Sequence, residues 1–234
     1  DEAILAVRRE LRPASQLRET DALGNGRYLL CKVIARGGFA TIWLAFDTDK
    51  KLLVAVKVLH SQLANEPTPR DRFFRGARLM AKLQHPHIIR ILDGPNEEDG
   101  IPYFVMPYLE KGDLREAVLA NKITRSKAIH AVLQAGEALH FAHQRTSVHR
   151  DVKPTNILLD HEDRAQLSDF DLVWDAGTIG GTQTGGIGSF LYIAPETLDA
   201  RSNEWVYGWV DQYSLALTLA FVLRKKEILL SEVR

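Results

Sequence analysis

Asp151, Lys153 and Asn156 stand close together in Val148-His149-Arg150-Asp151-Val152-Lys153-Pro154-Thr155-Asn156, and Ser168-Asp169-Phe170-Asp171 follows shortly after. Their amide and carboxylate oxygens are hard donors, of a kind that suits a divalent cation such as Mg²⁺ better than an ion that prefers sulfur or imidazole. Upstream, Val54-Ala55-Val56-Lys57 places a lysine among apolar, β-branched neighbours. A lysine inside a buried strand needs an anionic partner to offset its desolvation, whereas a strand lysine that snorkels to solvent is the plainer alternative. Gly37-Gly38 could bring backbone N–H groups close to a phosphate, and a plain hairpin turn would read the same way. Taken together, these residue types could handle a phosphate and a divalent cation.

The elements that must position them can be read from periodicity. Residues 1 to 23 carry Ile4, Leu5, Val7 and Leu11 among Arg and Glu, a helical pattern broken near Pro13, and suggest an extension packed outside the main fold. Tyr28 to Leu59 is rich in Val, Ile, Leu and aromatic residues, with turns at Gly37-Gly38 and Asp47-Thr48-Asp49-Lys50, and predicts three consecutive antiparallel strands. Arg70 to Leu83 reads as a helix. Ile88 to Asp93 and Tyr103 to Met106 read as two more strands, separated by a polar loop from Gly94 to Gly100. From Leu114 onward the pattern turns helical, most clearly over Lys127 to Gln144, where Ile129, Val132, Leu133, Leu139 and Phe141 could line a buried stripe. The Gly- and Thr-rich run Gly177 to Gly188 is a long loop of the kind that usually carries function or disorder.

Composition narrows the classes. A chain of 234 residues with 45% hydrophobic content can bury a substantial core and is too short for several ordinary domains. Thirty basic and thirty acidic residues leave no net field to steer the chain to nucleic acid or to anionic lipid. The single cysteine, Cys31, excludes an intrachain disulfide framework and zinc-finger spacing, which fits a reducing, cytoplasmic setting. No apolar run approaches the ~18 residues of a membrane span, and no signal-peptide pattern opens the sequence.

The run from Val148 to Asn156, with Ser168 to Asp171, resembles the catalytic and metal-binding loops of protein kinases, and specifically of the bacterial Hanks-type, eukaryotic-like serine/threonine kinases. The resemblance covers about Arg27 to Leu223. It implies an α+β, two-lobed fold: a five-stranded antiparallel N-lobe with one main helix, and a mostly helical C-lobe that stops early after its central helix. The expected domains are an N-terminal extension at residues 1–26, an N-lobe and hinge at 27–109, and an incomplete C-lobe at 110–234.

On this resemblance Asp151 accepts or orients the proton of the substrate hydroxyl, Lys153 marks the serine/threonine pattern, and Asn156 and Asp169 hold Mg²⁺. Lys57 would grip the α- and β-phosphates of ATP. Ile34-Ala35-Arg36-Gly37-Gly38-Phe39-Ala40-Thr41-Ile42 resembles the glycine-rich loop, with Gly37 as the central glycine and alanines at the first and third glycine positions. Tyr103 to Leu109 is similar to the hinge: Met106 is the gatekeeper, the Pro107 carbonyl accepts from adenine and the Leu109 N–H donates to it. Ile34, Ile42 and Ala55 above and Leu158 below would enclose the base in an apolar slot.

Other positions qualify the match. The helix glutamate that clamps the lysine in the family falls, counting nine back from His85, on Gly76. His149 is expected as a packed histidine stacked with Phe170 and Met80 rather than as a proton donor. Asp171 replaces the usual glycine, and among non-glycine residues Asp and Asn best tolerate positive φ. Gly188 to Glu196 resembles the end of an activation segment, with Ser189 offering a hydroxyl to Asp151 and Lys153. Thr178, Thr182 and Thr184 lie upstream, where a phosphate could meet Arg150. Asp211 would brace the catalytic-loop backbone, and Glu196 lacks its usual arginine within the sequence.

The implied activity is transfer of the ATP γ-phosphoryl group to Ser or Thr of protein substrates, with self-association for autophosphorylation. A pseudokinase that binds nucleotide as a regulatory or scaffold module is the alternative. A small-molecule phosphotransferase is a third class, disfavoured by Ala194-Pro195-Glu196.

Overall fold

The computed structural model describes residues 17–170, 189–198 and 208–228. The expected helical pattern before Pro13, Asp171, the loop from Gly177 to Gly188 with its threonines, and the Ser189 side chain lie outside the described portion. The chain divides into two compact units. The first runs to Phe74 and takes in Ile91–Tyr108; the second comprises Arg75–Arg90 and the chain from Leu109 onward.

The first unit is built on a six-stranded antiparallel sheet in the order β1-β2-β3-β4-β6-β5. The strands are β1 (Ala22–Leu23), β2 (Tyr28–Arg36), β3 (Ala40–Asp47), β4 (Leu52–Leu59), β5 (Asp93–Glu98) and β6 (Ile101–Pro107). Strand alternation gives the sheet two faces. Tyr28, Leu30, Trp43, Ala45, Val54, Val56, Val58, Tyr103 and Val105 form a buried apolar cluster on one face. Ile42, Ala55, Lys57, Phe104 and Met106 occupy the other, because they alternate with those residues along the same strands. The short helix α1 (Ser61–Ala64) follows β4, and Phe73 of helix α2 (Pro67–Lys82) packs on Phe104 with ring centroids 5.1 Å apart.

Two sequence expectations need correction in this unit. The end of the segment expected as an outer extension, from Leu17 to Leu23, supplies β1 and buries Leu17 and Leu23 in the same apolar cluster, so these residues are part of the lobe's core. The polar stretch from Gly94 to Gly100 expected as a loop is largely strand β5, while Ile88 to Leu92 form no sheet strand ahead of it. β5 is an edge strand whose ladder to β6 is made by backbone groups, so its polar side chains are no obstacle. They also find partners. Glu98 accepts hydrogen bonds from the Gly24 and Asn25 N–H groups, Tyr28 donates to Asp93, and Arg70 pairs with Glu97. Gly24 has φ +69°, and a Cβ there would lie 2.8 Å from the Tyr28 ring, so the turn between β1 and β2 requires glycine.

The second unit is mainly helical, with α3 (Leu114–Leu119), α4 (Arg125–His143) and α5 (Trp209–Arg224), plus a hairpin of β7 (Ile157–Leu159) and β8 (Ala165–Leu167). Asp113 caps α3 by accepting from the Glu116 N–H, and Thr124 caps α4 by accepting from the Lys127 N–H. The residues expected as a small-lobe strand add to the hairpin instead: the Ile89 N–H donates to the Leu167 carbonyl and the Leu167 N–H to the His87 carbonyl.

The buried face of α4 also differs from expectation. Val132 and Leu139 are buried, but Leu133 is 60% exposed and Ile129 and Phe141 are only partly covered. Ala128, Ala131, Ala135, Ala138 and Ala142 carry the contact face. Small side chains let α5 and β8 approach closely, and hydrophobicity alone does not mark that face. Among the described residues, no helix is long and apolar enough to cross a membrane.

Candidate active site

In the first unit, β2 and β3 join through Gly37-Gly38-Phe39, and the Gly37 N–H closes the turn on the Ala40 carbonyl at 3.0 Å. The register shifts between Val33 and Ala35, leaving Ile34 as the extra residue of a bulge, 42% exposed. Ile42, Lys57 and Phe104 lie side by side across β3, β4 and β6, and Leu44, Ala55 and Met106 form the next row on the same face. Ala55, Lys57 and Met106 are all nearly buried, with Lys57 only 6% exposed and its Nζ 5.8 Å from the Phe104 ring centroid. This face therefore presents one cation within an apolar row, and it ends at Pro107, the last residue of β6.

In the second unit, the loop from Val148 to Asn156 is folded around Asp151. Lys153 Nζ donates to both Asp151 oxygens, at 2.8 and 2.6 Å. Asn156 Nδ2 donates to the Asp151 carbonyl at 2.7 Å and to Asp151 Oδ2 at 2.9 Å. A backbone carbonyl can only accept, so this fixes the amide orientation and leaves Asn156 Oδ1 as the atom to offer a cation. Asn156 ends a short 3-10 turn, Pro154–Asn156, that leads directly into β7. Asp169 follows β8 and holds φ +64°. Leu158 and Leu109 are both half-buried in this unit, and the Leu159 N–H bonds to the Gly112 carbonyl. Gly76, at the expected clamp position, is buried in α2.

The loop has a rigid support. Asp211 on α5 is fully buried and accepts three hydrogen bonds: from the His149 N–H at 2.8 Å, the Arg150 N–H at 2.6 Å and His143 Nε2 at 2.7 Å. Burial pushes the Arg150 guanidinium below its ordinary range, and the Asp211 charge opposes that shift. His149, also fully buried, donates from Nε2 to the Ser168 carbonyl at 2.7 Å and accepts from the Asp151 N–H on Nδ1. Both ring nitrogens are thus committed to backbone groups, and the ring lies 4.5 Å from that of Phe170. Met80 is buried as well.

The hairpin behind the loop is pinned at several points. Gln134 of α4 accepts from the Ala165 N–H at 2.8 Å, and His87 Nδ1 donates to the Ala165 carbonyl at 2.9 Å. Asp163 at the hairpin turn binds Lys111 and Lys127, which hold its carboxyl below the usual carboxylate range. Downstream, the Ser214 hydroxyl lies 2.7 Å from the Tyr192 carbonyl oxygen, while the Tyr192 phenol donates to Glu227, which also pairs with Arg115 at 3.1 Å. Burial, together with Glu227, pushes the Tyr192 phenol far above its ordinary range, so it remains a donor.

His143, Tyr192, Arg115 and Glu227 were not singled out as functional from sequence. Their partners lie between 35 and 112 positions away along the chain, and no local motif marks such pairs. The donor chemistry fits Mg²⁺. One amide oxygen and one carboxylate, with phosphate oxygens and water completing an octahedron, is how that ion is commonly held. Among the described residues no group of three His, Cys, Asp or Glu could hold a metal ion.

Comparison with known proteins agrees with this construction. The family described as protein kinase domain matches residues 28–233. Serine/threonine-protein kinase PrkC of Bacillus subtilis is 38% identical over 174 residues, covering 74% of this chain and 27% of that protein. Serine/threonine-protein kinase PknB of Mycolicibacterium smegmatis is 36% identical over 198 residues, covering 80% of this chain and 32% of that protein. The chain thus spans about a third or less of the length of these curated relatives. The crystal structure of the Mycobacterium tuberculosis PknI kinase domain superposes with a TM-score of 0.69 at 27% identity, covering 91% of this chain and 78% of that one. With the loop carrying Asp151 and Asn156 built on β7 and braced by Asp211, and with the family match running through both units, the chain belongs to the protein kinase domain family.

Proposed function

We propose that this chain is an ATP-dependent serine/threonine protein kinase of the bacterial Hanks type. The observation that carries the reading is the Asp151 carboxylate, oriented by Lys153 and Asn156 within one loop and held from behind by Asp211. A Ser or Thr hydroxyl oxygen attacks the γ-phosphorus of ATP, the bond to the β–γ bridging oxygen breaks, and ADP leaves with the electron pair. Asp151 orients the hydroxyl and accepts its proton, while Lys153, bonded to the same carboxylate, steadies the transferring phosphoryl charge.

Lys57 holds the α- and β-phosphates, and the Gly37 hairpin covers them. Ile34, Ile42, Ala55, Met106 and Leu158 supply apolar surface for adenine, with the Pro107 carbonyl and the Leu109 N–H reading its edge. Asn156 Oδ1 and Asp169 hold Mg²⁺, which when bound neutralises phosphate charge. Catalysis is then mostly positioning and charge stabilisation. Protein substrates belong to the same reading and are supported by the family, the single cysteine favours a cytoplasmic setting, and self-association for autophosphorylation completes the proposal.

Incubation with labelled ATP, Mg²⁺ and a Ser/Thr-containing protein, beside an Asp151→Asn control, tests it. Label transferred by the parent alone is the expected result. No transfer by either protein, with a melting temperature that still rises in ATP and Mg²⁺, would replace this reading with that of a nucleotide-binding pseudokinase.

A further inference from the structure

Asp211 takes its third hydrogen bond from a residue outside the catalytic loop, His143, at the last turn of α4. A carboxylate oxygen can only accept, so His143 Nε2 carries the hydrogen. Nδ1, on the other side of the ring, faces Gly208, the residue before α5. Gly208 has φ −64° and ψ −14°, a conformation open to every residue type, so backbone freedom does not explain a glycine there. Space does. A Cβ on Gly208 would lie 2.5, 2.7 and 3.0 Å from Nδ1, Cε1 and Cγ of His143, and the imidazole would have to swing away from Asp211.

We propose that His143 and Gly208 form a positioning pair for phosphoryl transfer: the missing Cβ of Gly208 seats the His143 ring, the ring fixes the Asp211 carboxylate, and Asp211 fixes the backbone that carries Asp151. The pair sets how often Asp151 is correctly placed. It touches neither nucleotide nor acceptor, so the proposal rests on the kinase reading above for its effect on turnover but not for the coupling of the two residues.

The test is a double-mutant cycle of His143→Ala and Gly208→Ala, read by kcat, the KM for ATP and the melting temperature, with His143→Gln as a rescue variant. Each single substitution should lower kcat by about tenfold, the loss of one oriented hydrogen bond, with the KM for ATP changed less than about twofold. In the His143→Ala background Gly208→Ala should cost almost nothing further, because the space its methyl group needs has been vacated. His143→Gln should recover most of the loss, since its amide N–H can reach the same carboxylate. Equal costs of Gly208→Ala in both backgrounds, or an undiminished kcat for His143→Ala, would overturn the proposal. Should the parent transfer no phosphate, the melting temperatures still decide the coupling: non-additive shifts support the pair and additive ones refute it.

Discussion

Replacing Asp211 by Asn is the most informative single change, because the two atoms it exchanges have opposite hydrogen-bonding character. The carboxylate accepts two backbone N–H groups and one imidazole N–H while fully buried. An Asn that keeps its oxygen at the Oδ2 position retains the bonds from His149 and His143, and then its own NH₂ faces the Arg150 N–H, donor against donor. A hydrogen bond to a charged group contributes about 1.5–3 kcal/mol and a stranded buried donor costs about 1–3 kcal/mol, two figures that overlap rather than add. Against them stands the relief of removing a buried charge, which is large only where the charge is poorly paired. Three donors on one carboxylate make that relief small here. The expected net loss is about 2–3 kcal/mol, or about 4–12 °C in melting temperature for a chain of this size. Urea denaturation followed by far-UV circular dichroism checks it. A midpoint for Asp211→Asn equal to or above that of the parent would show that desolvation of the charge outweighs its three bonds, and the bracing argument would fail.

Two further outcomes are expected. Arg27, bonded to Asp47, holds that carboxyl down to about 2 against an ordinary 3.8. The unfolded chain therefore takes up the proton first on acidification, and the stabilisation is complete above about pH 4 and lost as the pH falls through about 2. The stability gap between the parent and Asp47→Asn should accordingly close over that window, and a gap that stays constant from pH 4 to pH 2 would contradict it. Tyr192→Phe should lower the urea midpoint by the equivalent of about 1 kcal/mol by removing the donor to Glu227, whereas Arg115→Ala in the Tyr192→Phe background should cost less than it does alone.

What the sequence made legible, and what it hid, follows from where the information sits. The three strands between Tyr28 and Leu59 are visible because their side chains do the packing, so β-branched and aromatic residues had to be there. Strand β5 is hidden because backbone groups make its ladder and its polar side chains serve as ties to Gly24, Tyr28 and Arg70. The contact face of α4 is hidden because alanine marks a close approach without standing out as hydrophobic, whereas Leu133, a stronger hydrophobic signal, lies at the solvent-exposed surface. The loop with Asp151 and Asn156 was legible because its chemistry is local, the two residues lying five positions apart. Its support was legible only in part. Asp211 belongs to a recognisable segment, but His143 is joined to it only by the way α4 and α5 pack.

The tie between Glu98 and the Gly24 turn bears on where this domain can be cut. The family match starts at residue 28, yet Leu17 and Leu23 lie in the apolar cluster of the first sheet and β1 pairs with β2. Excision at the family boundary would uncover Tyr28 and Leu30 and leave the Glu98 carboxylate without its two amide donors. A recombinant domain beginning at residue 28 should therefore aggregate more readily than one beginning before Leu17, since it displays fresh apolar surface beside an unpaired sheet edge. The physical unit that folds takes in at least the stretch from Leu17 to Arg27 beyond the evolutionary unit recognised by family comparison, and fusion partners or affinity tags belong upstream of that stretch.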